Sequence, residues 1–129
     1  MGQMILVVDD DATIRHSLRV LLESYGYTVR EAGGAVEAGG GIRDERPDLI
    51  VTDIYMPDGD GFELIREIRN SRHPIPIVVM SGGSNGGFDQ LEMAAKLGAV
   101  GVIDKPFRPS RMIEVVDRAL DGRGAPARR

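Results

Sequence analysis

Short apolar runs and segments of helical periodicity alternate five times along this chain of 129 residues. The apolar runs are Met4–Val8, Tyr27–Glu31, Leu49–Thr52, Ile75–Met80 and Val100–Asp104. Runs of this length, bounded by polar residues, are typical of strands buried in a parallel sheet. Their alternation with helices predicts a single α/β domain whose sheet is covered by helices on both faces.

The first two helices are predicted from apolar spacing and from their end residues. The first has its apolar positions at Ile14, Leu18, Leu21, Leu22 and Tyr25. Asp11 precedes this helix as a candidate N-cap, and Gly26 is expected to end it. The second helix, Ala35–Arg46, contains the glycine run Gly39–Gly41. Each Gly costs about 1 kcal/mol relative to Ala, so we expect this helix to be weak, short or bent.

Three later segments also have helical spacing. One runs from Phe62 to near His73-Pro74, and the next is Leu91–Leu97, which Gly98 ends. The last is Met112–Leu120, with Ser110 as its expected cap. Five helices therefore accompany the five predicted strands.

Composition and charge fit an ordinary globular protein, 42% hydrophobic and 28% charged. A formal net charge of −4 and a pI near 5.1 argue against nucleic acid as a direct ligand. The chain has no cysteine, so it has neither a disulfide framework nor thiolate chemistry. The N-terminal apolar run is too short for a signal sequence or a membrane span. We therefore expect a cytoplasmic protein that does not enter a membrane.

Residues able to handle phosphate and a divalent cation follow four of the predicted strands. The sequence Asp9-Asp10-Asp11 follows the first strand, Asp53 the third, Ser81 the fourth and Lys105 the fifth. In an open α/β sheet the ligand crevice lies beyond the carboxyl ends of the strands. The pattern therefore predicts that carboxylates, a hydroxyl and an ammonium meet at one edge of the sheet.

These residue types fit phosphoryl transfer to a carboxylate. A carboxylate that attacks phosphorus is repelled by its anionic donor, and a hard divalent cation that bridges the two relieves this repulsion. Mg²⁺ prefers one or two carboxylates together with water and phosphate, and Asp9, Asp10 and Asp53 supply such a partial shell. Lys105 would neutralise a further phosphate oxygen, and Ser81 would donate a hydrogen bond to another.

The chain resembles the receiver domain of two-component response regulators from about Met4 to Leu120. The resemblance is carried by Val7–Asp11, by Thr52–Pro57 with Gly61, by Ser81-Gly82 and by Lys105-Pro106-Phe107. Each motif is weak alone, but the four in this order and at these separations are specific. The resemblance implies a flavodoxin-like, doubly wound, three-layer fold with five parallel strands in the order 2-1-3-4-5 and five helices. We expect a receiver domain over residues 1–121 and, from its small and basic residues, a short flexible tail over 122–129.

The resemblance implies a role for each site residue. Asp53 would be the phosphoacceptor, and Asp10, Asp53 and the backbone carbonyl of Tyr55 would bind Mg²⁺, with Asp9 acting partly through water. Ser81 and Lys105 would hold the phosphoryl group. The peptide bond between Lys105 and Pro106 would be cis.

A mechanism and partners are implied in the same way. A histidine kinase or a histidine phosphotransfer protein would supply the phosphoryl group, and the receiver would catalyse its own phosphorylation and dephosphorylation without acting as an enzyme on other substrates. The output would be binding of a downstream target protein, with the receiver as a monomer or a phosphorylation-dependent dimer. Because the sequence stops just after the last predicted helix, we expect a stand-alone receiver with non-covalent output.

Two features, one residue and one loop, depart from the family pattern. Val102 stands three residues before Lys105, where the family often has Tyr or Phe, so an aromatic rotamer switch is not implied here. Gly82 and Gly83 follow the switch hydroxyl, as in certain single-domain receivers, and begin a glycine-rich loop. Our hypothesis is that ordering of the loop Gly82–Gly87 replaces the aromatic switch.

Three other functions fit these residues less well. A magnesium-dependent phosphatase of the haloacid-dehalogenase type needs a second acid two residues after the nucleophile, where this chain has Tyr55. A degenerate receiver would bind partners without phosphorylation, but every acidic, hydroxyl and lysine position is retained. Flavin binding would need a Ser/Thr/Gly-rich loop after the first strand, where acids would repel the phosphate.

Single residues near these motifs have simpler interpretations. Asp11 is assigned to capping, whereas Asp58 and Asp60 are typical turn residues. His16 and His73 are more typical of solvated surface positions than of phosphohistidine sites.

Overall fold

The computed structural model describes residues 3–54, 61–70, 74–81 and 98–121, in which the chain forms five strands and four helices. The strands are β1 (Met4–Val8), β2 (Thr28–Ala32), β3 (Leu49–Asp53), β4 (Ile77–Ser81) and β5 (Gly101–Asp104). The helices are α1 (Ala12–Ser24), α2 (Ala35–Asp44), α3 (Gly61–Arg69) and α4 (Pro109–Asp121). The predicted helix Leu91–Leu97 and the tail 122–129 lie outside the described residues. None of these four helices is long and apolar enough to cross a membrane.

All five strands form one parallel sheet in the order β2-β1-β3-β4-β5. The order and the parallel pairing confirm the doubly wound fold. The register places Val8 opposite both Ala32 of β2 and Thr52 of β3. The carboxyl ends of these strands are therefore level, and the residues that follow them emerge at one edge.

Alternate residues of the strands supply two separate apolar cores. In β1, Ile5 and Val7 pack with residues of α1 and α4, whereas Leu6 and Val8 pack with residues of α2 and α3. Every residue of β1 is buried. Because both faces are covered, the strand is a continuous apolar run instead of an alternating one. The result is the predicted three-layer arrangement.

Asp11 caps the N-terminus of α1, as predicted. Its Oδ1 accepts hydrogen bonds from the amides of Thr13, at 2.9 Å, and Ile14, at 3.4 Å. These amides have no partner within the helix, so the carboxylate satisfies two donors that would otherwise need water.

We expect Asp11→Ala to lower the free energy of unfolding by about 1 kcal/mol relative to Asp11→Asn. Both variants remove the same charge, but only Asn keeps a side-chain oxygen that can accept from the helix amides. Urea unfolding of the two variants measures the difference. Equal stabilities would contradict a capping role.

The C-terminus of α1 shows why β2 begins one residue later than predicted. Gly26 has a φ of +95°, and its amide donates to the carbonyl of Glu23. The next amide, that of Tyr27, donates to the carbonyl of Leu22. These two bonds form a Schellman motif. Because Tyr27 closes the helix, the strand starts only at Thr28.

Proline residues determine two other boundaries. β4 begins at Ile77 and not at Ile75, because Pro76 has no N–H to donate to the sheet. Ser110 was expected to cap the last helix, and this prediction is wrong. Pro109 occupies the first position of α4, where a missing N–H has no cost, so Ser110 lies inside the first turn.

The second helix is short, in line with the expectation from its glycine run. α2 ends at Asp44, two residues before the predicted end. Its first turn follows Gly34, which offers no side-chain cap.

Candidate functional site

The carboxyl ends of four strands meet at one edge of the sheet. Asp9 directly follows β1, and Asp53 is the last residue of β3. Ser81 ends β4 and lies opposite Asp104 of β5. The amide of Lys105, one residue further on, donates to the carbonyl of Ser81 at 2.7 Å. Parallel pairing therefore brings together residues that are far apart in the sequence.

The ammonium of Lys105 bridges two carboxylates. Its Nζ lies 3.0 Å from Oδ2 of Asp9 and 3.2 Å from Oδ2 of Asp53. The side chains are 18%, 1% and 13% exposed, respectively, so water screens these contacts little. The peptide bond between Lys105 and Pro106 is cis, as expected.

Backbone amides fix the orientation of both carboxylates. Oδ1 of Asp9 accepts a hydrogen bond from the amide of Asp11 at 2.9 Å. Oδ1 of Asp53 accepts a hydrogen bond from the amide of Ile54 at 2.8 Å. Each carboxylate thus binds the main chain through one oxygen and Lys105 through the other. The two acids are held in defined positions around one cation.

The site carries an excess of negative charge. Burial raises the pKa of the Asp53 carboxyl above its usual 3.8, and the charge of Asp9 adds to this, so the attraction of Lys105 only partly offsets the rise. Burial lowers the pKa of Lys105, but the hydrogen bond to Asp9 and the charge of Asp53 outweigh it, and the pKa lies above 10.5. Three carboxylates, those of Asp9, Asp10 and Asp53, thus lie near one ammonium, and this arrangement favours a second cation.

Asp9, Asp10 and Asp53 form a group that could hold this cation. Each offers one carboxylate oxygen, and the three oxygens lie within 4.8 Å of one another. Asp9 is buried and Asp10 is exposed, so the group is open to water on one side. Oxygen donors with room for water fit Mg²⁺. The predicted backbone ligand Tyr55 lies outside the described residues.

Of the remaining predicted site residues, the structure describes some, and others lie outside the described residues. Ser81 is buried at the end of β4, and Val102 is half-buried and packs with the core that contains α2 and α3. Pro106 is exposed beside the lysine. Gly82 and Gly83 lie outside the described residues, so the predicted switch loop does as well. The structure thus brings together Asp9, Asp10, Asp53, Ser81 and Lys105.

One residue of the site was missed by the sequence analysis. Nη1 of Arg15 donates to the backbone carbonyl of Asp9 at 2.7 Å. Arg15 lies in the first turns of α1, directly after the acidic motif, and Glu31 of β2 binds the same guanidinium. Two sequence features could have indicated this contact. Arg15 follows the N-cap Asp11 by four positions, and the acid Glu31 lies near the end of the neighbouring strand β2.

Comparison with known proteins agrees with this geometry. The family model described as response regulator receiver domain matches residues 5–117. The DNA-binding transcriptional regulator NtrC of Azospirillum brasilense is 38% identical over 123 residues, which are 95% of this chain and 25% of NtrC. The crystal structure of the receiver domain of NtrX from Brucella abortus superposes with a TM-score of 0.85 at 35% identity, covering 92% of this chain and 98% of that one.

A CheY-like response regulator receiver domain protein from Methanospirillum hungatei JF-1 is also similar. It has a TM-score of 0.85 at 30% identity, over 94% of this chain and 95% of its own. The chain therefore matches nearly the whole of two receiver domain structures, whereas it spans only 25% of the length of the NtrC relative.

Proposed function

Because this chain belongs to the response regulator receiver domain family of two-component signalling, we propose that Asp53 accepts a phosphoryl group from a phosphohistidine on a partner protein. The observation that best supports this is the contact of one ammonium, that of Lys105, with the carboxylates of both Asp9 and Asp53. A lysine that neutralises two acids at a strand end is suited to bind a phosphoryl oxygen once one acid is phosphorylated.

In the proposed reaction a carboxylate oxygen of Asp53 attacks the phosphorus atom. The P–N bond to the imidazole breaks as the P–O bond to Asp53 forms, and the nitrogen keeps the bonding electron pair. Attack of water on the acyl phosphate later returns inorganic phosphate and the free carboxylate. The domain thus catalyses its own phosphorylation from a donor and its own dephosphorylation.

The neighbouring side chains have defined tasks in this scheme. Lys105 compensates negative charge on the phosphoryl oxygens, and the hydroxyl of Ser81 donates a hydrogen bond to one of them. Asp9, Asp10 and Asp53, with the carbonyl of Tyr55, would hold Mg²⁺. The ion would supply positive charge between the carboxylates and the incoming phosphoryl group.

The proposed partners follow from this chemistry. A histidine kinase or a histidine phosphotransfer protein donates the phosphoryl group in the cytoplasm, and a downstream target protein reads the phosphorylated state. The receiver domain is assigned to residues 1–121 and the tail to 122–129. Val102 supplies no aromatic ring for a rotamer switch, so we assign switching to the loop that begins with Gly82 and Gly83.

We expect acetyl phosphate to add one phosphoryl group to the chain only when Mg²⁺ is present. Intact-mass spectrometry with Mg²⁺ or with a chelator measures this, and peptide mapping should locate the group on Asp53. At limiting Mg²⁺, Asp10→Asn should slow the reaction by at least about tenfold, since even the loss of a residue that only supports a metal ligand has an effect of this size.

Asp11→Asn is the matched control for that experiment. It removes a charge from the same acidic run but keeps the helix cap, so phosphorylation should proceed as in the parent protein. Phosphorylation that is independent of Mg²⁺, or equal rates for the Asp10 and Asp11 variants, would refute the proposed metal site.

A further inference from the structure

The side chain of Arg15 links α1, β1 and β2 next to the acidic site. Nη1 donates to the carbonyl of Asp9 at 2.7 Å, and Nε donates to Oε1 of Glu31 at 3.0 Å. Arg15 is 20% exposed and Glu31 is 24% exposed. Both bonds involve an ionised group at a half-buried position, and a guanidinium makes such bonds with defined directions.

The carbonyl that Arg15 binds is part of the peptide unit between Asp9 and Asp10. This unit is planar, so fixing the carbonyl oxygen also fixes the direction of the Asp10 amide. On the other side of Asp10, the amide of Asp11 is held by Oδ1 of Asp9. The backbone on both sides of Asp10 is therefore constrained.

Asp10 depends on this constraint for its position. Its carboxylate is exposed, and among the described residues it accepts no hydrogen bond and forms no ion pair. Nevertheless one of its oxygens lies within 4.8 Å of oxygens of both Asp9 and Asp53. Because no described side chain holds this carboxylate, its place depends on the backbone that carries it.

We infer that Arg15, held by Glu31, is a positioning residue that orients the Asp9–Asp10 peptide so that the carboxylates of Asp9, Asp10 and Asp53 converge to bind Mg²⁺. The inference rests on the proposed function and deepens it. Arg15 acts through the backbone of the acids and does not bind the metal itself.

Glu31 makes a guanidinium compatible with a cation site. An unpaired positive charge so close to the acids would oppose Mg²⁺ binding. Burial raises the pKa of Glu31, but the hydrogen bonds from Arg19 and Arg15 outweigh it and hold this pKa below 4.5. Glu31 therefore stays ionised at neutral pH and balances the charge of Arg15.

Arg19 provides a control inside the same network. It donates to the other oxygen of Glu31 at 3.1 Å and to Glu23 at 3.1 Å, and its side chain is 42% exposed. Arg19 shares the ion pair with Glu31 but is not bonded to Asp9. A role that comes only from the ion-pair network would therefore be similar for Arg15 and Arg19.

Calorimetric titration of the full chain with Mg²⁺ tests the inference. We expect Arg15→Ala to weaken Mg²⁺ binding by about tenfold. Arg15→Lys should also weaken it, because a single ammonium cannot reproduce the fork that reaches both Asp9 and Glu31. Arg19→Ala should bind Mg²⁺ as tightly as the parent.

The thermal midpoint without metal is measured for each variant. A purely structural role would lower this midpoint and leave the Mg²⁺ affinity of the folded protein unchanged.

Several outcomes would overturn the inference. One is parental Mg²⁺ affinity in folded Arg15→Ala, and another is an equal loss in Arg19→Ala. If Arg15→Ala does not fold, Arg15→Lys and Glu31→Gln decide the matter, and parental affinity in both would refute it. Asp10→Ala reports separately on the proposed function. Loss of Mg²⁺ binding in Asp10→Ala with parental binding in Arg15→Ala refutes only the role of Arg15, whereas unchanged binding in Asp10→Ala refutes the metal site itself.

Discussion

Asp53→Asn is expected to reduce phosphorylation by acetyl phosphate or by a phosphohistidine donor by at least about a thousandfold, because the variant has no carboxylate nucleophile. The fold should be unaffected. Asn keeps an oxygen that can accept from the amide of Ile54, which lies 2.8 Å from Oδ1 in the parent. Intact-mass spectrometry in the presence of Mg²⁺ measures the phosphoryl gain of both proteins over the same time course.

Asp104→Asn is the matched control for this substitution. Asp104 is an exposed acid at the same edge of the sheet, and it is outside the group of three carboxylates found among the described residues. The Asp104→Asn variant should be phosphorylated as fast as the parent. Phosphorylated Asp53→Asn, or a phosphoryl group mapped to Asp10 in the parent, would contradict the assignment of the nucleophile.

Asp53→Asn should also differ from the parent in the pH dependence of its stability. The pKa of Asp53 in the folded protein lies above its ordinary value of 3.8, mainly because of burial. The carboxyl therefore contributes stability below pH 3.8 that is lost as the pH rises through the folded pKa. Asn does not ionise, so in the absence of metal the stability of the variant relative to the parent should increase over this range.

The sequence was sufficient to predict the architecture, because the governing signals are local. β1 has the predicted bounds Met4–Val8, since an apolar run bounded by polar residues identifies a doubly covered strand. Gly26 ends α1 because the closing motif requires a positive φ. Parallel strands then bring Asp9 and Asp53 to one edge without any further information.

The contacts within the site were less predictable, because they depend on how distant elements pack. The contacts of Lys105 with both Asp9 and Asp53 were not predicted from the sequence. Buried carboxylates need a hydrogen-bonding or charged partner, and this ammonium is within reach. The bond from Arg15 to the carbonyl of Asp9 depends on side-chain conformation and on the packing of α1 beside β2, which apolar spacing does not report.

The central position of Lys105 leads to a second large expected effect. Lys105→Ala should lower the free energy of unfolding by roughly 3 kcal/mol in the absence of metal, because it leaves the buried carboxylates of Asp9 and Asp53 without their cation. Urea unfolding at neutral pH measures this. Arg111→Ala is the control, since its pair with Glu114 is about half exposed and its removal should change stability by at most about 0.5 kcal/mol.

Metal and pH distinguish the loss of this charge from a simple loss of packing. Mg²⁺ should restore much of the stability of Lys105→Ala, because the ion binds only the folded cluster and replaces the missing positive charge.

The pKa of Lys105 lies above 10.5, so the contribution of its charge to stability is complete below pH 10.5 and is lost as the pH rises through the folded pKa. The difference between parent and variant should therefore shrink at high pH. A difference that is independent of both Mg²⁺ and pH would mean that Lys105 acts through its aliphatic chain. In that case the carboxylates would have to be stabilised by other groups, and the proposed transfer of Lys105 from carboxylate to phosphoryl oxygen would lose its electrostatic basis.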